Sequence, residues 1–149
     1  MMFGYACEET ESYDELKGRY FPLAAALSQR LSRRLTTVRE EGILPWARPD
    51  GKSQVTVQYD SNGDIEKVHT VVIAIQHDNT LKDQFGGSEE QELAHVEEQI
   101  RQHVVEHSIP SKLLSAGYKL VVNGTGRFAD PGGPYADAGL TGRKIIVDT

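Results

Sequence analysis

The clearest pattern of apolar and polar positions lies between residues 22 and 39. Apolar side chains recur there at helical spacing, and arginines cover much of the opposite face. Pro22 stands where a helix tolerates proline, and Gly42 follows the basic end of the segment. The pattern predicts an amphipathic helix that ends before Gly42.

Strand patterns occupy the next part of the chain. Residues 54–59 alternate between apolar and polar side chains, whereas residues 68–76 are mostly β-branched and apolar. The polar residues 61–64 include an Asn-Gly pair, so the two strands are predicted to form an antiparallel hairpin. Residues 45–52 contain two prolines and an Asp-Gly pair, which predicts a loop.

A second helix is predicted after a polar loop over residues 78–88. Ser88 followed by acidic residues is typical of a helix start, and the helix should run to about Glu106. Its apolar face is predicted to contain Leu93, Val96, Ile100 and Val104. A short strand over 118–122, a glycine-rich loop and a final strand over 144–147 are predicted to follow.

The predicted order of elements is strand, helix, two strands, helix, strand, loop, strand. This order favours an α+β fold with an antiparallel or mixed sheet and helices packed on one face. We expect residues 1–149 to form a single α+β unit with a main domain over 21–123. Residues 1–20 are predicted to form a strand and loop that dock on parts outside this chain, because the first residues are apolar. Residues 124–149 should form a loop and the last strand.

Composition narrows the function classes. A chain of 149 residues with 38% hydrophobic residues is typical of one globular domain. The net charge of -6 argues against a general nucleic-acid binder. The single cysteine, Cys7, cannot form a disulfide within the chain. Because the sequence shows neither a membrane-spanning apolar run nor a signal peptide, we predict a cytoplasmic protein without a membrane partner.

The glycine-rich segment over 124–149 carries the most promising candidate chemistry. Its glycines allow the backbone to approach a ligand closely. Asp137 lies among small residues, and Arg143 with Lys144 could clamp a polyphosphate. A surface loop with solvated charges fits the composition equally well. Neither of the common glycine-rich phosphate motifs is present.

Two other short stretches have both a functional and a structural interpretation. Arg127 and Phe128 offer a cation and an aromatic ring that could stack on adenine, although a core phenylalanine is the commoner case. Asp50, Gly51 and Lys52 could direct a lysine into a cleft, but they also fit an ordinary turn.

The histidines are weaker candidates. His103 and His107 have a spacing that can bind zinc, yet no third ligand is evident, which favours a solvated helix face. His77 follows a strand and could take part in acid–base chemistry, although the sequence names no partner for it. Cys7 has no basic neighbour that would activate it, so we interpret it as a small apolar residue.

Many of these residues lie in longer motifs that resemble those of the S-adenosylmethionine synthetases (methionine adenosyltransferases). The motifs include Met2-Phe3-Gly4-Tyr5-Ala6, Leu44-Pro45-Trp46, Arg48-Pro49-Asp50-Gly51-Lys52, Gln76-His77-Asp78, Thr125-Gly126-Arg127-Phe128 and Asp137-Ala138-Gly139-Leu140-Thr141-Gly142-Arg143-Lys144. The resemblance spans nearly the whole chain. It implies one domain of a three-domain α+β enzyme that joins ATP to L-methionine and releases phosphate and diphosphate.

The resemblance also implies roles for individual residues. The expected ATP-binding residues are Asp50, Lys52, Arg127, Phe128, Asp137, Arg143 and Lys144. The expected catalytic residues are Lys52, Asp137, Arg143 and Lys144. By the same resemblance, Asp137 also contacts methionine and Lys52 lies near the oxygen that leaves C5′. Mg²⁺ and K⁺ are the implied cofactors, and a homodimer or homotetramer is the implied assembly.

Several family features are missing from this sequence. The opening His-Pro-Asp-Lys motif, the acidic K⁺ ligand and the segment after the final strand are not found, so no metal ligand is assigned here. The chain is therefore expected to be a middle portion or short form that is inactive alone. The loop over 129–136 also departs from the family pattern, with Asp130 as an added charge. The alternative is a non-catalytic nucleotide-binding or regulatory module derived from this family.

Overall fold

The computed structural model describes residues 2–114 and 117–138. Its helices and strands are α1 (Leu23–Glu40), β1 (Ala47–Tyr59), β2 (Ile65–His77), α2 (Glu89–Ile100), α3 (Glu106–Ser108), α4 (Ser111–Leu114) and β3 (Lys119–Val122). A π-helical segment over Arg101–Val105 joins α2 to α3, and short 3₁₀ helices cover Leu81–Phe85 and Gly133–Tyr135. The predicted final strand over 144–147 lies outside the described residues.

The three strands form one mixed sheet in the order β1-β2-β3. β1 and β2 are an antiparallel hairpin, as the Asn-Gly turn predicts, and β3 pairs with β2 in parallel. One face of the sheet packs on the helices. The core on that face combines Leu27, Leu31 and Leu35 of α1 with Val71, Ile73 and Ile75 of β2 and Val96 and Ile100 of α2. The α+β prediction is therefore confirmed.

The first helix follows its sequence pattern closely. The apolar positions of α1 are buried, and Gly42 follows the helix with a φ of 70°. Pro22, at the N-cap, has no side-chain group that can cap the helix, and the Glu9 carboxylate takes this role. The Leu23 N–H donates to Glu9 Oε2 at 2.7 Å, which places a negative charge at the positive end of the helix.

The predicted N-terminal strand is not formed. Residues 2–20 consist of turns and irregular backbone, and Phe3 is 91% exposed. Within the described chain no strand pairs with these residues, so they lack the hydrogen-bonding partner that a strand requires. Docking of residues 1–20 on other parts of a protein stays a prediction.

The predicted loop over 45–52 is wrong from Ala47 onward, because β1 begins there. Ala47 pairs with His77 and Gly51 pairs with Ile75, so the three residues 48–50 of β1 lie opposite Gln76 alone. This irregularity accommodates Pro49, which has no N–H to give to the ladder, and β1 is an edge strand of the sheet that the described residues form. The bulge places Asp50 beside Gln76.

The second helix begins as predicted, with the Gln91 N–H donating to Ser88 Oγ at 3.4 Å. It continues through the π-helical segment to Ser108, two residues beyond the predicted end. The wider turn of that segment leaves the His103 carbonyl available, and Arg34 Nε donates to it at 2.9 Å. Within the described part of the chain, no helix has the length and apolar character that a bilayer span would need.

Asn123 directly follows β3 and sets the direction in which the glycine-rich segment leaves the sheet. Its Oδ1 accepts from the Ile75 N–H at 2.9 Å, and its Nδ2 donates to the Ile75 carbonyl at 3.1 Å. The residue is buried and has a φ of 46°. The amide thus takes the place of a backbone partner for β2 while the backbone turns away.

We expect Asn123→Gly to lower the free energy of unfolding by about 2 kcal/mol, because the buried N–H and C=O of Ile75 lose their partners. Asn123→Ala should cost about 1 kcal/mol more, since alanine is strained at positive φ and glycine is not. Urea unfolding followed by Trp46 fluorescence measures both values. A glycine variant as stable as the unmodified chain would contradict the structural role of the amide.

Candidate functional site

The open end of the hairpin, where β1 begins and β2 ends, presents two charged side chains on the sheet face opposite the helices. We call this part the hairpin end. A Cβ built on Gly51 would lie 3.3 Å from Ile75 Cδ1 and 3.4 Å from Leu35 Cδ1, so this position points into the core. Because side chains alternate along a strand, Asp50 and Lys52 point to the open face. Lys52 is exposed and Asp50 is half-buried.

The segment after Asn123 folds back over this hairpin end. The Phe128 carbonyl accepts from the His77 N–H at 3.0 Å, and the Ala129 carbonyl accepts from Gln76 Nε2 at 2.9 Å. Further on, the Gly133 N–H donates to Asp50 Oδ2 at 2.7 Å. These three bonds hold the segment against β1 and β2.

Close contact with Gln76 explains one glycine of the segment. A Cβ built on Gly132 would lie 2.3 Å from Gln76 Cδ, well inside van der Waals contact. Any other residue at position 132 would force the Gln76 side chain away from its hydrogen bond to Ala129.

A cavity of about 440 Å³ opens between the segment and the hairpin end. Its walls are formed by Pro49, Asp50, Gln76, Gly132, Gly133, Pro134 and Asp137. The two carboxylates and the amide are acceptors for hydroxyl or ammonium groups. The cavity therefore suits a ligand with such donors, and phosphate groups would need cations next to it.

The structure brings together only part of the predicted site. Asp50 and Asp137 line the same cavity, and Lys52 lies two residues beyond Asp50 on β1 without lining it. Arg127 and Phe128 lie at the base of the loop, beside His77. The remaining two predicted residues, Arg143 and Lys144, lie outside the described residues.

A buried charge cluster lies below the loop, formed by His77, Glu92 and Arg127. Arg127 Nε donates to Glu92 Oε2 at 2.7 Å, and His77 Nε2 is 3.6 Å from Glu92 Oε1. The side chains of His77 and Glu92 are fully buried. Trp46 contacts the His77 ring edge-on, with ring centroids 6.5 Å apart.

Burial lowers the pKa of His77 below its usual value, because the charged ring would lose its hydration. The nearby Glu92 carboxylate opposes this shift, and the Arg127 guanidinium reinforces it. His77 is therefore neutral near pH 7 within this cluster.

Sequence reasoning missed Glu92, whose carboxylate lies 3.6 Å from His77 Nε2, beyond hydrogen-bonding distance. The predicted apolar face began at Leu93, but Leu93 is half-buried and Glu92 is buried with Val96 and Ile100. A signal was available, because Glu92, Val96 and Ile100 follow one another at intervals of four residues. An acidic residue at such a position favours a buried ion pair.

Metal coordination finds no support in residues 2–114 and 117–138. Nowhere in these ranges do three or more His, Cys, Asp or Glu side chains come together in a way that could hold a metal ion.

His77 should make the free energy of unfolding depend on pH below the ordinary histidine pKa of about 6.5. As the pH falls below about 6.5, the unfolded state binds a proton that the folded state does not, so the stability present above this pH is progressively lost. Urea unfolding of the chain and of His77→Gln at several pH values tests this, with His107→Gln, an exposed position, as control. The change of the unfolding free energy with pH should be smaller in His77→Gln and unaltered in His107→Gln. An unaltered pH dependence in His77→Gln would contradict the burial of a neutral His77.

The chain is similar to known proteins over its whole length. A family model described as "S-adenosylmethionine synthetase, central domain" matches residues 1–128. An S-adenosylmethionine synthase of Nocardioides sp. is 45% identical over 150 residues, covering 100% of this chain and 33% of the relative. One of Corynebacterium jeikeium is 49% identical over 154 residues, with the same coverage. This chain thus spans about a third of the length of these relatives.

Proposed function

Because this chain belongs to the S-adenosylmethionine synthetase family, we propose that it supplies part of the ATP site of a methionine adenosyltransferase. The enzyme would form S-adenosylmethionine from ATP and L-methionine and release phosphate and diphosphate. One observation carries the proposal. Two segments far apart in sequence, Pro49–Asp50 and Gly132–Asp137, enclose one cavity with Gln76.

The chemistry of the site follows from what ATP requires. The methionine sulfur attacks C5′ and the triphosphate leaves, so the protein must align the two reactants and neutralise the leaving group. We assign the triphosphate to Lys52, Arg143 and Lys144, of which Lys52 is the one within the described residues. The half-exposed Phe128 would provide an aromatic face for adenine.

The two carboxylates of the cavity fit the neutral and cationic parts of the substrates. Asp50 would accept hydrogen bonds from ribose hydroxyl groups, and Asp137 would contact both ATP and the methionine ammonium group. In the present structure Asp50 accepts from the Gly133 N–H. Because a carboxylate has two acceptor oxygens, ATP bound to Asp50 would share the carboxylate with the Gly133 N–H, and the loop should respond to the nucleotide.

The remaining parts of the proposal extend beyond this chain. Mg²⁺ and K⁺ would be held mainly by residues outside it, and we propose a homo-oligomer, dimer or tetramer, in a cytoplasmic enzyme. We do not expect nucleic acid or membranes as partners. Alone, the chain is expected to bind ATP without turnover.

The second candidate is a non-catalytic nucleotide-binding or regulatory module. The observation that favours it is the coverage, since the chain corresponds to about a third of its relatives. A chimera separates the two candidates. In it, this chain replaces the matching segment of the Corynebacterium jeikeium relative, and formation of S-adenosylmethionine is measured by chromatography.

The enzyme proposal predicts that the chimera forms S-adenosylmethionine. Sedimentation checks that the chimera has the same oligomeric state as the unmodified relative. An assembled chimera that binds ATP but forms no product would favour the binding module. If it assembles but binds no ATP, both candidates are wrong.

Within the active chimera, Lys52→Ala should lower turnover about 100-fold while ATP affinity changes much less, because the charge acts on the leaving triphosphate. Lys119→Ala is the matched control, since it removes an exposed lysine from another strand of the same sheet. Turnover unchanged by Lys52→Ala would refute the proposed role of this lysine.

A further inference from the structure

The guanidinium of Arg127 is held on several sides by protein acceptors. Besides the 2.7 Å bond from Nε to Glu92, Nη2 donates to Glu92 Oε1 at 3.3 Å. Nη1 donates to Asn79 Oδ1 at 2.9 Å, and Nη2 donates to the Asn79 carbonyl at 2.5 Å. Four hydrogen bonds therefore fix the orientation of this side chain.

The carboxylate that receives Arg127 is fully buried, whereas the arginine side chain is 18% exposed. A buried carboxylate needs a cationic partner, because no water solvates the carboxylate charge. If Arg127 moved away to bind a phosphate, Glu92 would be left with a neutral His77 as its nearest partner. The structure thus opposes a direct role of Arg127 on the triphosphate.

The same arrangement fixes the next two residues. The Phe128 carbonyl is bound by the His77 N–H, and the Ala129 carbonyl is bound by the Gln76 amide. Three consecutive residues are therefore held, the first through its side chain and the others through their backbone. The backbone that carries the Phe128 side chain is therefore fixed relative to β2.

We propose that Glu92 and Arg127 are positioning residues, which orient Phe128 for the base of the nucleotide and do not bind its phosphates. Glu92 belongs to none of the motifs that resemble the family, and Arg127 takes a different role from direct ATP binding. This inference rests on the proposed function, since it requires that Phe128 contacts adenine. It divides the site into a base end at Phe128 and a phosphate end at Lys52.

The test uses three probes with the 149-residue chain: adenosine, ATP and inorganic tripolyphosphate, with affinities measured by NMR titration. Glu92→Gln should weaken the binding of adenosine and ATP by the same factor, on the order of tenfold. Tripolyphosphate binding should stay unchanged. Glu90→Gln is the matched control, because it removes an exposed carboxylate from the same helix.

A merely structural role would weaken all three probes together, and that result would overturn the proposal. A loss confined to tripolyphosphate and ATP would do the same and would assign Arg127 to the phosphates. Unchanged affinities for all probes would also overturn it. If the unmodified chain binds neither adenosine nor ATP, the proposed function fails first, and the positioning role fails with it.

Asn79→Ala provides a second variant in case Glu92→Gln does not fold. Asn79 is exposed, and its removal takes one acceptor from the guanidinium while leaving the buried ion pair in place. We expect the same selective loss of adenosine affinity with a smaller factor. Equal weakening of tripolyphosphate by this variant would contradict the proposal.

Discussion

The two hydrogen bonds between the Asn123 side-chain amide and the backbone of Ile75 are the constraint on which the rest of the site depends. They satisfy the buried N–H and C=O of Ile75 in β2 and, with a positive φ at Asn123, turn the chain out of the sheet. Every later contact requires that exit direction, including Phe128 with His77 and Gly133 with Asp50. The cavity exists because the segment returns to the hairpin end.

Local patterns were sufficient for the elements that depend on local contacts. The apolar periodicity of α1 predicted that helix with nearly correct ends, and the Asn-Gly turn predicted the hairpin but not the start of β1 at Ala47. The prediction failed at Pro49, because a bulge opposite Gln76 is defined by pairing with another strand. The pairing of Glu92 with Arg127 is likewise tertiary, since these residues are distant in sequence, and only the burial of Glu92 had a local signal.

The site separates two kinds of charge. Glu92 and Arg127 pair in or near the core beside the neutral His77 ring, where low solvation makes the ion pair strong and its geometry fixed. Asp50, Lys52 and Asp137 are half-buried or exposed, so they can exchange protein or water contacts for a ligand. The buried group is rigid and supports the accessible group. Precise ligand positioning requires such rigid support beneath the residues that contact the ligand.

The most direct test of the central claim is an NMR titration of the labelled chain with ATP, together with saturation transfer between the adenine protons and the aromatic rings. We predict transfer between adenine and Phe128 and shifts of the amide signals of Asp50, Lys52 and Gly133. Shifts confined to another surface, or no response to ATP throughout the titration, would contradict the assignment of this cavity to ATP.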